Sequence, residues 1–278
     1  MSKPIVAILY DFDATLATSD MQNFSFIPSL GLTPDEFWHK CKEFSVETGC
    51  EKTLGYLHTM IAECKKRGIK MTRSFLNEQG KHIKFWPGVE KWFERINKFG
   101  EENGVEVEHY LVSSGNKEIV EGCSIYKYFK MVYGCEFIFD ENDEPIWPKL
   151  VINYTQKTQY FYRVSKGAFD INDDVGVNEK NRNRRVPYSN IVYIGDGLTD
   201  IPAMILAKNN GGHSIAVYPE GKEGKIVDDL YHDGRVNYVA PADYREGKEL
   251  DEIMRLIIKG VSINESLKQR GNMNKEDK

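Results

Sequence analysis

The sequence predicts an α/β fold, a doubly wound parallel sheet with a small helical module inserted after the first strand. Three observations carry that expectation. Short unbroken apolar runs, such as Ile5 to Leu9 and Ile191 to Ile194, fit strands buried on both faces. These runs alternate with stretches of helical period, as repeated strand–helix units do. Acids and small hydroxyl residues follow the runs at once, and in open α/β sheets ligands bind just beyond the carboxyl ends of the strands.

With 278 residues and 41% hydrophobic side chains, the chain has room for one large domain or for a core with a smaller module. A net charge of −5 and a pI near 5.8 argue against general binding to nucleic acid or to an anionic membrane. A strand begins close to Met1 without the apolar stretch and cleavage site of a secretion signal, and no apolar run approaches membrane-spanning length. The expectation is a cytoplasmic protein without a nucleic-acid or membrane partner; the oligomeric state is left open. Cys41, Cys50, Cys64, Cys123 and Cys135 are scattered and form no C-x-x-C pair, so buried free thiols are expected rather than a zinc site or disulfides.

The first strand ends in Asp11-Phe12-Asp13-Ala14-Thr15. Carboxylates at the edge of a core need a polar or charged site. One carboxylate can attack phosphorus to give an aspartyl-phosphate. A second, two residues on, can protonate a leaving group and then deprotonate water. Thr15 offers a hydroxyl to a phosphate oxygen. The plain alternative is a strand end closed by an Asx-turn. Next come a polar turn, Ala17 to Asp20, and the apolar residues Met21, Phe24, Phe26, Ile27 and Leu30. Thr33-Pro34-Asp35-Glu36 has the pattern of a capped helix start, and that helix is expected to reach about Val46. A second helix is expected from Lys52 to Lys66, with Leu54, Leu57, Ile61 and Cys64 on one face, and a third from Arg73 to Gln79.

Pro87-Gly88 marks the return to strand–helix alternation. Val89, Trp92, Phe93, Ile96 and Phe99 form a helical stripe that reads as core packing. A strand from Glu108 to Val112 runs into Ser113-Ser114-Gly115-Asn116 and a helix from about Lys117. Hydroxyl and backbone N–H groups there make either a phosphate pocket or an ordinary N-cap. A strand is expected from Met131 to Cys135, then a hairpin from Glu136 to Lys149 with the acidic turn Asp140 to Asp143. A helix from Gln156 to Lys166 stops at Gly167, and the polar stretch Asp170 to Arg185, with Arg182, Arg184 and Arg185, reads as an exposed loop. The strand Asn190 to Ile194 ends in Gly195-Asp196-Gly197-Leu198-Thr199-Asp200, whose glycines permit a tight turn against a ligand. A helix follows, then a strand from Ser214, a helix from Lys222 to Leu230, a short strand at Tyr238, a helix from Lys248 to Lys259 and a polar tail from about Asn264.

Asp11, Asp13, Ser113, Asp196 and Asp200 therefore share one rim of the predicted sheet. Clustered carboxylates repel one another unless a cation sits among them, and hard oxygen ligands suit Mg²⁺. With these motifs in this order, the chain resembles the haloacid dehalogenase superfamily, on its phosphatase side. The D-x-D-x-T motif is matched by Asp11 to Thr15, the apolar strand ending in Ser or Thr by Leu111-Val112-Ser113, and G-D-x-x-x-D by Gly195 to Asp200. The remaining motif, a lysine before the last of these strands, has two candidates. Lys157 is preferred, because a helix start shares the rim of the strand ends. Lys166, beside Gly167, meets the negative end of the helix dipole instead.

The resemblance covers Lys3 to about Val217. It implies a Rossmann-like sheet of order 5-4-1-2-3, with Asp11 and Asp196 facing each other across the switch point. It implies Asp11 as nucleophile and Asp13 as general acid and base, with Mg²⁺ held by Asp11, the Asp13 carbonyl and Asp196, and Asp200 ligating or supporting. It implies that Thr15, Ser113, Ser114 and Lys157 bind the phosphoryl group. It divides the chain into a core, residues 1–16 and 86–278, and a helical cap, residues 17–85, that closes over substrate. The activity implied is Mg²⁺-dependent hydrolysis of a small phosphorylated metabolite, a phosphomonoester, through an aspartyl-phosphate. Phosphoryl transfer to another acceptor, including a mutase, is the alternative. Dehalogenation is disfavoured by Asp13 and Asp196, and a non-catalytic binding role by the presence of every motif acid. Two departures stand out. Ala14 occupies a position where many relatives have Gly. Phosphoserine phosphatases carry a Glu soon after the first motif to grip the amino group, and the stretch Met21 to Phe24 holds no acid. Phe24, Phe26, Phe37 and Trp38 either line an apolar pocket or pack inside the cap.

Overall fold

Seven segments of the chain pair into one sheet: β1 (Ile5–Tyr10), β2 (Glu106–Asn116), β3 (Phe129–Phe139), β4 (Pro145–Leu150), β5 (Ile191–Gly195), β6 (His213–Tyr218) and β7 (Tyr238–Pro241). This computed structural model describes residues 3–180, 184–221 and 225–276. The spatial order is β4-β3-β2-β1-β5-β6-β7, and every pairing is parallel except that of β3 with β4. β1 lies between β2 and β5, with Ile8 in register with His109 on one side and Val192 on the other. Its residues Val6 to Tyr10 are fully buried, as a continuous apolar run in a two-sided sheet demands. The chain runs outward from β1 in both directions, so β1 and β5 flank the switch point of the sheet. The order expected for the parallel core is present; β7 extends it at one edge and the β3–β4 hairpin at the other.

Five helices lie between β1 and β2: α1 (Met21–Phe24), α2 (Phe26–Ser29), α3 (Pro34–Thr48), α4 (Lys52–Lys66) and α5 (Arg73–Gly80). The segment leaves and rejoins the sheet at one point, where Ala17 and Phe85 form an antiparallel bridge and Trp86 N donates to Leu16 O at 3.0 Å. α3 begins with the capping box that its sequence announces: Thr33 Oγ1 accepts from Glu36 N, and Glu36 accepts from Thr33 N at 2.8 Å. Phe26 and Phe37 are fully buried within this segment, edge to face at 6.1 Å. α1 and α2, four residues each, were not expected; a single turn leaves no period to read.

The remaining helices are α6 (Val89–Glu102), α7 (Lys117–Glu121), α8 (Lys157–Lys166), α9 (Asp174–Asn178), α10 (Ile201–Asn209), α11 (Lys225–His232) and α12 (Glu249–Glu276). The α6 stripe packs on the sheet as expected, and Trp92 Nε1 donates to Tyr10 OH at 2.8 Å. Two expectations differ from what is found. α9 interrupts the polar stretch read as loop, held by Asp173 as its N-cap. α12 runs to Glu276 rather than ending at Lys259, because the tail contains no proline and good helix formers carry it beyond the part that packs on the core. Lys222 and Arg182 lie outside the described residues. The cysteines are free, and all but Cys50 are buried.

One charge cluster, built around the buried Glu108, braces β2 near its start, away from the acids at the strand carboxyl ends. Glu108 meets Lys130, both terminal nitrogens of Arg185 and the Tyr110 hydroxyl. Burial alone would raise its carboxyl, but the hydrogen bonds from Arg185, Lys130 and Tyr110 outweigh burial and hold it at about 2.

Candidate active site

The parallel pairing of β1 and β5 brings their ends together. Asp11 N donates to Ile194 O at 2.9 Å, so the residue after β1 stands beside the turn after β5. One carboxylate oxygen each from Asp11, Asp196 and Asp200 lie within 4.8 Å of one another. Gly195 makes this possible: a Cβ there would sit 2.6 Å from the Asp200 carboxylate. Asp200 is fully buried at the start of α10, and its Oδ1 accepts from Tyr193 OH at 2.8 Å and from Lys157 Nζ at 2.7 Å. Lys157 begins α8, is 1% exposed, and also donates to Asp11 Oδ1 at 2.8 Å. Lys166, at the other end of α8, donates to the carbonyls of Val177 and Glu179, away from the acids.

The other sequence candidates line the same rim. Thr15 Oγ1 donates to Asp196 Oδ1 at 3.3 Å. Asp13 Oδ1 accepts from Met21 N at 2.7 Å, so its carboxylate points toward α1, while Asp11, Asp196 and Asp200 are the acids that converge among the described residues. Ser113 Oγ accepts from Gly115 N at 2.9 Å. Ser114 Oγ is buried with no partner, while Tyr56 OH reaches from α4 to Ser114 O at 2.7 Å. Ala14 has a φ of 54°, a left-handed conformation that glycine adopts more readily.

Electrostatics follow from burying several acids around one ammonium. Burial, then Asp200, raises Asp11 to about 7, although Lys157 pulls it down. Burial, then Asp11 and Asp200, raises Asp196 to about 8. Asp13 is raised well above the usual range by burial, then by Asp20 and Asp11. Burial opposes the charge on Lys157, but Asp11 and Asp200 outweigh it and keep the ammonium above its ordinary range. The cluster holds more negative charge than Lys157 can balance. Its donors are hard oxygens at close quarters, a set that fits a small divalent cation.

A cavity of about 460 Å³ opens beside Asp13, Ser114 and Gly115, walled by Gln22, Trp38 and Tyr56 of the helical segment. Asp20 also lines it; the stretch Met21 to Phe24 holds no acid, and this carboxylate stands one residue before it. Trp38 lines the cavity, whereas Phe26 and Phe37 pack inside the helical segment and Phe24 packs against its core. Tyr193, Tyr56, Asp20 and Gln22 escaped the sequence reading.

Set against known structures, the chain superposes on a haloacid dehalogenase family hydrolase from Salmonella enterica serovar Typhi. The TM-score is 0.59 at 15% identity, covering 92% of this chain and 72% of that one. A phosphoserine phosphatase captured as a phospho-aspartyl intermediate analogue gives 0.54 at 16% identity, covering 91% of this chain and 99% of that one. The chain has the haloacid dehalogenase fold, with a phosphoserine-phosphatase-like core. A probable phosphoserine phosphatase from Vibrio cholerae shares this fold at a TM-score of 0.58 and 13% identity, covering 95% of this chain and 67% of that one. No family model matches the sequence. An uncharacterized protein from Borreliella burgdorferi is 27% identical over 275 residues, covering 88% of this chain and 94% of that protein. Among the described residues no helix is long and apolar enough to cross a membrane.

Proposed function

We propose that this protein is a Mg²⁺-dependent phosphatase that hydrolyses a small-molecule phosphomonoester through an aspartyl-phosphate at Asp11. The observation that carries the reading is the group Asp11, Asp196, Asp200 and Lys157, all buried but the half-buried Asp196, at the switch point of a haloacid dehalogenase fold. Asp11, the Asp13 carbonyl and Asp196 would hold the metal, with Asp200 supporting them. A bound Mg²⁺ would offset carboxylate charge and polarise a phosphoryl oxygen.

Lys157 orients the Asp11 carboxylate for in-line attack and binds a phosphoryl oxygen as charge moves onto it. Thr15, Ser113 and Ser114 supply hydroxyl and backbone donors to the remaining oxygens. Asp13 gives a proton to the departing alcohol oxygen, for which its raised pKa suits it, and then takes one from the attacking water. Tyr193 keeps Asp200 turned toward Lys157. Residues 17–85 act as a cap over a core of 1–16 and 86–278, hinged where Ala17 meets Phe85, and exclude water from the intermediate.

A phosphorylated amino acid is a second reading of the substrate, favoured by Asp20. Its carboxylate faces the same cavity as Asp13 and suits an ammonium group. Assays of phosphate release from a generic aryl phosphate, with Mg²⁺ and with excess chelator, test the function. Release that requires Mg²⁺ supports it; release undiminished in chelator contradicts it.

A further inference from the structure

The cavity beside Asp13 extends beyond what a phosphoryl group needs, and its wall is layered. α3 and α4 form a hairpin around the turn at 49–51, and both line the cavity. Trp38 on α3 and Tyr56 on α4 meet with ring centroids 6.1 Å apart. Trp38 Nε1 donates to Asn23 Oδ1 of α1 at 2.9 Å, and Tyr56 OH donates to Ser114 O of β2 at 2.7 Å. One helical turn nearer the hairpin tip, about 6 Å along each axis, stand Lys42 and Lys52. Both line the cavity, and neither makes an ion pair among the described residues.

Closer to the sheet, Gln22 is 2% exposed, and its side-chain oxygen has no partner; the buried Ser114 hydroxyl also lacks one. Unpaired polar atoms at such depth are costly unless a ligand satisfies them. The cavity therefore presents polar groups near the acids, an aromatic layer next, and beyond it two exposed ammonium groups without an ion pair among the described residues. Its acids, Asp13 and Asp20, belong to the segment between β1 and α1, not to the hairpin.

We infer, resting on the phosphatase reading, that the substrate is a phosphomonoester whose alcohol has an apolar body and an anionic group at its far end. The body packs against Trp38 and Tyr56, a polar atom near the ester meets Gln22, and the anion lies between Lys42 and Lys52. The anion is a carboxylate or a second phosphate. A cavity of about 460 Å³ belongs with sites for ligands of that size, commonly about 300–1,000 Å³.

The test compares the phosphate ester of hydroxyphenylpropanoate with its neutral propanamide isostere and with an analogue carrying a second phosphate in place of the carboxylate. The wild-type protein should favour an anionic ester over the amide by about tenfold in kcat/KM, expressed in KM, as two partly exposed ion pairs allow. The larger of the two anionic preferences identifies the group. Lys42→Gln with Lys52→Gln, folded by circular dichroism, should treat acid and amide alike. Calorimetric binding of the unphosphorylated acid and amide supplies a readout that needs no turnover. Acid-selective binding that the double variant loses supports the inference even if no ester is hydrolysed, an outcome that would reject only the phosphatase reading. Equal handling of acid and amide by the wild-type protein in both assays, or a preference that survives the double variant, overturns it.

Discussion

Lys157 Nζ and Asp11 Oδ1 lie 2.8 Å apart, both buried, although 146 residues separate them in the chain. The parallel sheet produces the meeting: α8 starts, and β1 ends, on the same rim. The same ammonium lies 2.7 Å from Asp200 Oδ1. One cation thus bridges the acid proposed as nucleophile and the acid that opens α10. Losing Lys157 would leave two buried acids without their shared cation.

Lys157→Ala should lower the catalytic rate by about two orders of magnitude or more in a folded protein, as the loss of a positioned cation at a developing charge does. Lys166→Ala removes only contacts to two carbonyls. It should cost about 1 kcal/mol of stability and leave the rate close to wild type. Steady-state kinetics with urea unfolding of both variants distinguishes the two lysines. The opposite pattern would contradict the role given to Lys157.

Mg²⁺ should stabilise the protein against heat. An acid whose folded pKa is raised weakens the fold as pH climbs from its ordinary value toward the raised one, because only the unfolded chain ionises freely there. For Asp196 that window runs from 3.8 to about 8. In chelator, stability should therefore fall across this range, and Mg²⁺ at about a hundred times its Kd should restore about 2.7 kcal/mol. Asp196→Asn should be at least as stable as wild type in chelator and gain little from Mg²⁺. Differential scanning fluorimetry across pH measures this; an Asp196→Asn protein with a full Mg²⁺ shift would refute it.

Glu108 predicts the opposite pH dependence. Its folded pKa of about 2 lies below the ordinary 4.5, so its contribution is present above 4.5 and is lost as pH falls toward 2. Glu108→Gln should cost about 1–3 kcal/mol at neutral pH, since Lys130 and Arg185 keep partial access to water. The difference from wild type should shrink at about pH 3. Denaturant unfolding at both pH values measures it, and a constant difference would argue that packing, not charge, is lost.

Ala14→Gly should stabilise the protein by about 0.5–1 kcal/mol, because the left-handed φ of 54° strains any residue with a Cβ. The Ala14 carbonyl, which accepts from Trp86 Nε1 at 2.9 Å, is unaffected by the change. A lower unfolding midpoint for Ala14→Gly would show that the entropy of glycine outweighs the strain.

Much of the fold was legible because buried strands declare themselves: Ile5 to Leu9 and Ile191 to Ile194 have no polar side, and both lead into acids. The preference for Lys157 over Lys166 came from helix polarity; Lys157 bonds Asp11 and Asp200, whereas Lys166 bonds the carbonyls of Val177 and Glu179. Less was legible where position depends on tertiary contact. Tyr193 reads as one more apolar strand residue, yet its hydroxyl is aimed at Asp200. Asp20 reads as part of a polar turn and reaches the cavity only because the chain doubles back at α1. The length of α12 was missed because the apolar pattern weakens past Val261, where the helix no longer needs a buried face.

The most direct test of the central claim is to trap the covalent intermediate. The protein would be mixed with a radiolabelled phosphomonoester and Mg²⁺, quenched in acid within a turnover, digested and mapped. Label is expected in the peptide that contains Asp11, and none in a folded Asp11→Asn protein, which should also fail to turn over. A folded Asp11→Asn protein that hydrolyses the ester at the wild-type rate, or label that maps to another residue, would contradict the account.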